Sequence, residues 1–135
     1  MLSLQVSEPL REINIAIIGA EGVGKSTFVR KALDLPNLPS TQAAERKTSI
    51  GGSDYLLRLL ELPIDDVDIE EDDTITWPDT IQDKMMPKVD GAVMLYDVQD
   101  RGSFDDIPEV LSEFSNRLRI PAYTVRGRML TVHLR

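Results

Sequence analysis

Gly19-Ala20-Glu21-Gly22-Val23-Gly24-Lys25-Ser26-Thr27 decides how the rest of this chain is read. The stretch fits G-x-x-x-x-G-K-[ST], the spelling of a phosphate-binding P-loop. Before it runs Ile13-Asn14-Ile15-Ala16-Ile17-Ile18, a β-branched apolar run that reads as a buried strand. Residues 26–33 follow it and read as a short helix. The glycines let consecutive backbone N–H groups turn inward as an anion-binding nest. The helix opening near Lys25 adds unpaired N–H groups and a positive dipole end. On this reading Glu21, Gly22, Val23, Gly24, Lys25, Ser26 and Thr27 form the nucleotide-phosphate cradle. Lys25 reaches the β- and γ-phosphates as a point charge, and the Ser26 hydroxyl ligates Mg²⁺. The bland alternative is a Gly-rich turn with a chance lysine; the flanking strand and helix argue against it.

The 135 residues suffice for one domain with a real core. A net charge of −8 argues against a general nucleic-acid binder, because phosphate backbones would be repelled. There is no cysteine, hence no disulfide and no thiolate chemistry. No run is long enough to span a membrane. The N-terminus has no basic leader, position 2 is Leu and the last residues carry no prenylation box, so no lipid anchor is seen. These features together lead us to expect a cytoplasmic protein.

Pro36 and Pro39 make residues 34–41 a loop. Residues 46–50 and 55–60 read as two strands joined at the Gly51-Gly52 turn. Residues 65–73 are almost all acidic, a pattern expected of a solvated loop; the spacing and the glycine of an EF-hand Ca²⁺ site are missing. Residues 77–86 read as a helix opening at Pro78, with Trp77, Ile81 and Met85 on one core-facing side. Residues 89–96 form another apolar strand. Ser103 or Asp106 caps a helix running to Leu118. In the tail, residues 123–125 and 129–132 read as short strands. Alternating strand and helix signals predict an α/β fold: a mainly parallel sheet, apart from the 46–60 hairpin, with helices on both faces.

Two blocks resemble the Ras-type small GTPases. One is residues 15–26. The other is Val89-Asp90-Gly91-Ala92-Val93-Met94-Leu95-Tyr96-Asp97-Val98-Gln99-Asp100-Arg101-Gly102-Ser103-Phe104-Asp105-Asp106-Ile107, which is similar to the family's fourth strand and following helix. The resemblance covers residues 10–121 and implies a G-domain-like P-loop NTPase fold. It also implies GTP/GDP binding with Mg²⁺ and the behaviour of a signalling switch. The family's first switch uses a threonine on Mg²⁺. Thr41 is the candidate metal ligand here and Ser40 the fallback, since Thr48 falls in the second strand. The family's third strand ends in D-x-x-G followed by Gln. This chain has Glu61-Leu62-Pro63-Ile64-Asp65, so Glu61 replaces the Asp, while the Gly and the Gln are missing. Glu21 stands where Ras proteins proper have glycine, which crowds the γ-phosphate.

Neither guanine-reading motif of the family, N-K-x-D or S-A-K, occurs in the sequence. Residues 122–135 depart from the family and turn basic, so they are expected to be a divergent tail on a C-terminally truncated domain. Truncation would leave a sheet edge and apolar helix faces uncovered, favouring self-association. The resemblance thus implies a small GTP/GDP-binding switch with slow or partner-dependent hydrolysis. A protein effector or regulator would contact residues 37–48 and 61–80. The alternatives are a non-hydrolysing interaction module and a P-loop kinase acting on a small molecule; the latter lacks a recognisable acceptor pocket and basic lid.

Overall fold

The computed structural model describes residues 9–69, 75–97, 122–125 and 129–133. The predicted helix ending at Leu118 lies outside these residues. Arg11–Gly19 (β1) is the central strand, and its neighbours are Ser53–Pro63 (β3) and Gly91–Leu95 (β8), both parallel to it. Parallel neighbours on both sides place β1 in the interior, which is why Ala16, Ile17 and Ile18 are fully buried. Ala43–Ile50 (β2) adds an antiparallel edge on β3. The turn between them is Gly51 and Gly52, both at positive φ, as a two-residue hairpin requires.

The sheet is mixed: β1 is parallel to both its neighbours, and the outer pairings are antiparallel. Met129–His133 (β10) pairs antiparallel with β8, and Ala122–Val125 (β9) pairs antiparallel with β10. The order is β2-β3-β1-β8-β10-β9. The tail strands expected from sequence therefore join the sheet, and β10 covers the edge of β8.

Strand periodicity sorts the core into two layers. Ile17, Leu59 and Leu95 face the helix Lys25–Ala32 (α1), packing with Val23, Val29 and Leu33. Ala16, Ile18, Leu60, Leu62, Ala92 and Met94 face the other way. Each buried Val, Leu, Ile or Met among them contributes about 1.5–3 kcal/mol. Among the described residues α1 is the sole α-helix. The second face is covered by Ile64, Val67 and Ile81, with Trp77 and Met86 packed beside them.

Helix α1 ends in a Schellman arrangement. Asp34 adopts φ 52°, the Leu35 N–H donates to Arg30 O and the Asp34 N–H donates to Lys31 O. Arg46 reaches across from β2 and donates to the carbonyls of Leu33 and Asp34 at 2.8 and 2.6 Å. Pro36 then keeps the chain from re-entering a helix.

Residues 77–86 are a hairpin, not a helix. Thr80–Ile81 (β6) pairs with Lys84–Met85 (β7) through a turn in which Gln82 and Asp83 both have positive φ. Ile81 is buried as expected, whereas Met85 is 86% exposed, so the two do not share a core-facing side. The described part of the acidic stretch carries regular structure. Ile64–Asp66 form a 3-10 turn, and Asp68–Ile69 (β4) pairs with Ile75–Thr76 (β5).

The start of β8 is pinned by reciprocal bonds. The Asn14 N–H donates to Asp90 Oδ2 at 2.9 Å, and the Asp90 N–H donates to Asn14 O at 2.8 Å. Arg58 ties three strands together through Glu12, Glu45 and the buried Asn14 Oδ1. Arg58 holds the Glu12 carboxyl below its ordinary pKa. A carboxylate with a depressed folded-state pKa stabilises fully above its unfolded pKa, and that part is lost as pH falls through the folded value. Arg58→Met should cost about 1–3 kcal/mol at pH 7, mainly by stranding the Asn14 amide oxygen. The gap to wild type should narrow below about pH 4. Urea unfolding of both proteins at pH 7 and pH 3.5 checks both parts.

Candidate functional site

The site forms where β1 runs out. Beyond Gly19 the chain makes a tight loop and enters α1 at Lys25. Gly22 and Gly24 have φ of 83° and 98°, a region in which a side chain would be strained. These two residues turn the loop's amides toward the open side. The N–H groups of Gly22, Gly24, Lys25, Ser26 and Thr27 have no backbone acceptor among the described residues. No side chain caps α1 either. Such a run of unpaired donors at a helix start favours an anion. Val23 points the other way and is buried against Ile17 and Val29, anchoring the loop to the core.

Lys25 folds back over the loop. Its Nζ donates to Gly19 O at 2.8 Å and to Ala20 O at 3.0 Å. Partial burial pushes its pKa down, while the carboxylates of Glu61 and Glu21 pull it up. The ammonium is thus fixed in place by two carbonyls and has a third N–H to offer.

Glu61 stands on β3 beside Ile17 in the parallel register, at the level where the loop begins. It is buried, and Oε1 accepts a 2.7 Å hydrogen bond from Ser26 Oγ. Its backbone is held from the other side by the Gln42 carbonyl, which accepts the Glu61 N–H at 2.8 Å. Residues 35 positions apart thereby place a hydroxyl and a carboxylate together at the floor of the loop. Two hard oxygen donors suit Mg²⁺, which keeps several waters and takes other ligands from phosphate oxygens rather than from an all-protein cage. Among the described residues no group of three or more His, Cys, Asp or Glu side chains could hold a metal alone. The donor set fits a metal that arrives with a phosphate ligand.

A cleft of about 610 Å³ opens over these groups. The loop and the start of α1 form one wall; Glu61, Pro63, Ile64 and Asp65 form the other. Of the residues picked from sequence, Glu21, Gly22, Gly24, Lys25, Ser26 and Thr27 line the cleft, and Val23 sits beneath it. Thr41 lies elsewhere. Its hydroxyl donates to Ala43 O at 3.2 Å, and it lines a separate cavity with Arg58, Ile81 and Pro87. Ser26 and Thr41 do not meet in this structure. Ile64 and Asp65, in the stretch read against the family's D-x-x-G and Gln, also line the cleft. Their signal was indirect: they follow the strand that carries Glu61, and a parallel neighbour of β1 must end beside the loop.

Among the described residues, no helix is long and apolar enough to cross a membrane. No family model matches the chain, and no curated protein matches it.

Proposed function

We propose that this chain is a small Ras-like GTP/GDP-binding protein whose Gly19–Thr27 loop is a P-loop of G-domain type, acting with Mg²⁺ and hydrolysing GTP slowly or only with a partner. The observation that carries the reading is the convergence of three independent features in one cleft. These are the unpaired loop N–H groups, the Lys25 ammonium clamped over them, and the Ser26–Glu61 pair at 2.7 Å.

In this reading the loop amides bind phosphate oxygens and Lys25 offsets their charge. Ser26 and Glu61 hold Mg²⁺, which when bound neutralises charge on the phosphates and orients them. Pro63 has no N–H to give a terminal phosphate, and among the described residues no Gln lines the cleft to orient a water. The carboxylates of Glu21 and Asp65 oppose a developing anion. These features favour slow turnover, and they also favour the second reading, a non-hydrolysing interaction module. An effector or regulator would meet residues 37–48 and 61–80, where Leu38 is 58% exposed.

Calorimetric titration with GTP, GDP, ATP and ADP, each with and without Mg²⁺, tests the proposal. Binding that needs Mg²⁺ and prefers guanine is the expected supporting result. With no N-K-x-D or S-A-K motif in the chain, the preference for guanine over adenine should be modest. No binding of any nucleotide would sink the nucleotide reading and leave the interaction module.

A further inference from the structure

The phosphate cradle and the space beyond it have opposite character. Resting on the reading that the loop holds a nucleotide's phosphates, a diphosphate needs only what the cradle supplies: loop amides, the Lys25 ammonium and the Ser26–Glu61 pair. A third phosphate has to be housed in the same cleft, one wall of which is made by residues 61–65. Among the described residues the side chains of that wall carry no positive charge. Pro63 offers no N–H, and Ile64 is buried and apolar. The exposed groups there are two carboxylates, Glu21 on the loop and Asp65 opposite. Lys25 is the single side-chain cation lining the cleft among the described residues. Two of its three N–H donors are already engaged by Gly19 O and Ala20 O.

Charge accounting points the same way. Among the described lining residues, Glu21, Glu61 and Asp65 set three negative charges against the one of Lys25. A divalent ion on Ser26 and Glu61 would offset part of this excess for either nucleotide. The additional charge of a triphosphate then falls nearest Glu21 and Asp65. Like charges a few ångströms apart repel even when partly screened by water.

We propose that this site selects a Mg²⁺-bound nucleoside diphosphate over the matching triphosphate, and that Glu21 and Asp65 set the preference. The protein would then rest in the diphosphate-bound form whatever its rate of hydrolysis. Entry of a triphosphate would need a partner that moves the 61–65 segment or neutralises its carboxylates.

The test is a calorimetric comparison of Mg·GDP with Mg·GTP, and of Mg·ADP with Mg·ATP, on the full chain and on the Glu21→Gln/Asp65→Asn double variant. For the wild type, the diphosphate of each bound pair should be at least about tenfold tighter. In the double variant the ratio should fall toward one, chiefly through tighter triphosphate binding. Equal or tighter triphosphate binding by the wild type would overturn the selectivity while leaving the nucleotide site standing. An unchanged ratio in the double variant would overturn the role of the two carboxylates. No binding of any of the four ligands would overturn the site itself and the inference with it.

Discussion

Lys25→Ala is expected to weaken Mg·GDP binding about 10- to 150-fold while leaving the fold intact, given about 1.5–3 kcal/mol for the one charge-assisted hydrogen bond lost. The side chain is held by the Gly19 and Ala20 carbonyls at the lip of the loop. Its remaining N–H and its charge are free for phosphate oxygens. Removing it leaves the loop amides in place but takes away the cleft's side-chain cation. Among the described residues, Glu21, Glu61 and Asp65 then face the ligand with no side-chain cation beside them. The fold should tolerate the change. Burial already disfavours the charged form and lowers the Lys25 pKa, so deleting the ammonium relieves desolvation while losing two part-buried bonds to carbonyls. Stability should stay within about 1 kcal/mol of wild type. Calorimetry and urea unfolding on the same preparations separate the two effects.

Gly19→Ala is expected to have the opposite profile, with a loss of about 2–3 kcal/mol in unfolding free energy before any ligand is added. A Cβ at Gly19 would lie 2.8 Å from Val23 Cγ2 and 2.9 Å from the Leu95 carbonyl oxygen. The second contact is backbone and cannot swing aside. Gly19 pairs with Leu95 at the end of the β1–β8 register, so relief requires the two parallel strands to part. Val23 is equally constrained, because its side chain is the loop's anchor in the core. Gly22→Ala makes a useful comparison. Nothing lies within 4 Å of its Cβ position, and only its φ of 83° opposes the substitution. That strain costs about 1–2 kcal/mol. Thermal or urea unfolding should rank the variants wild type, Gly22→Ala, Gly19→Ala in falling stability; Gly19→Ala matching wild type would contradict the packing described.

The parts of the molecule that were legible in the sequence are those with local signals. β1, the glycine loop and α1 each carry their own signature, an apolar β-branched run, glycines at positive-φ positions and a helix-forming segment. The β2–β3 hairpin announced itself through Gly51-Gly52. The hairpin at residues 80–85 did not. Trp77, Ile81 and Met85 recur every four residues, and Pro78 suits a first helical turn, so the period imitates a helix. Left-handed Gln82 and Asp83 override it, residues less typical of such turns than Asn-Gly or Asp-Gly. The strands of residues 122–125 and 129–133 were visible, but nothing local told that β10 would run antiparallel to β8.

At the site, Ser26 was legible because its motif is contiguous. Glu61 was identified through resemblance, as a replacement for an Asp. Its bond to Ser26 depends on the parallel β1–β3 register, which aligns Ile17 with Glu61 and Gly19 with Pro63. The same register brings Pro63, Ile64 and Asp65 opposite the loop, a long-range consequence that no short pattern encodes.

The central claim is that the Gly19–Thr27 loop holds a nucleotide's phosphates. The most direct test is the phosphorus NMR spectrum of Mg·GDP titrated with the protein. The account predicts that the β-phosphorus resonance shifts and broadens with wild type, and stays at its free position with Lys25→Ala at the same concentration. A β-phosphorus line unmoved by wild type, or moved equally by Lys25→Ala, would contradict it.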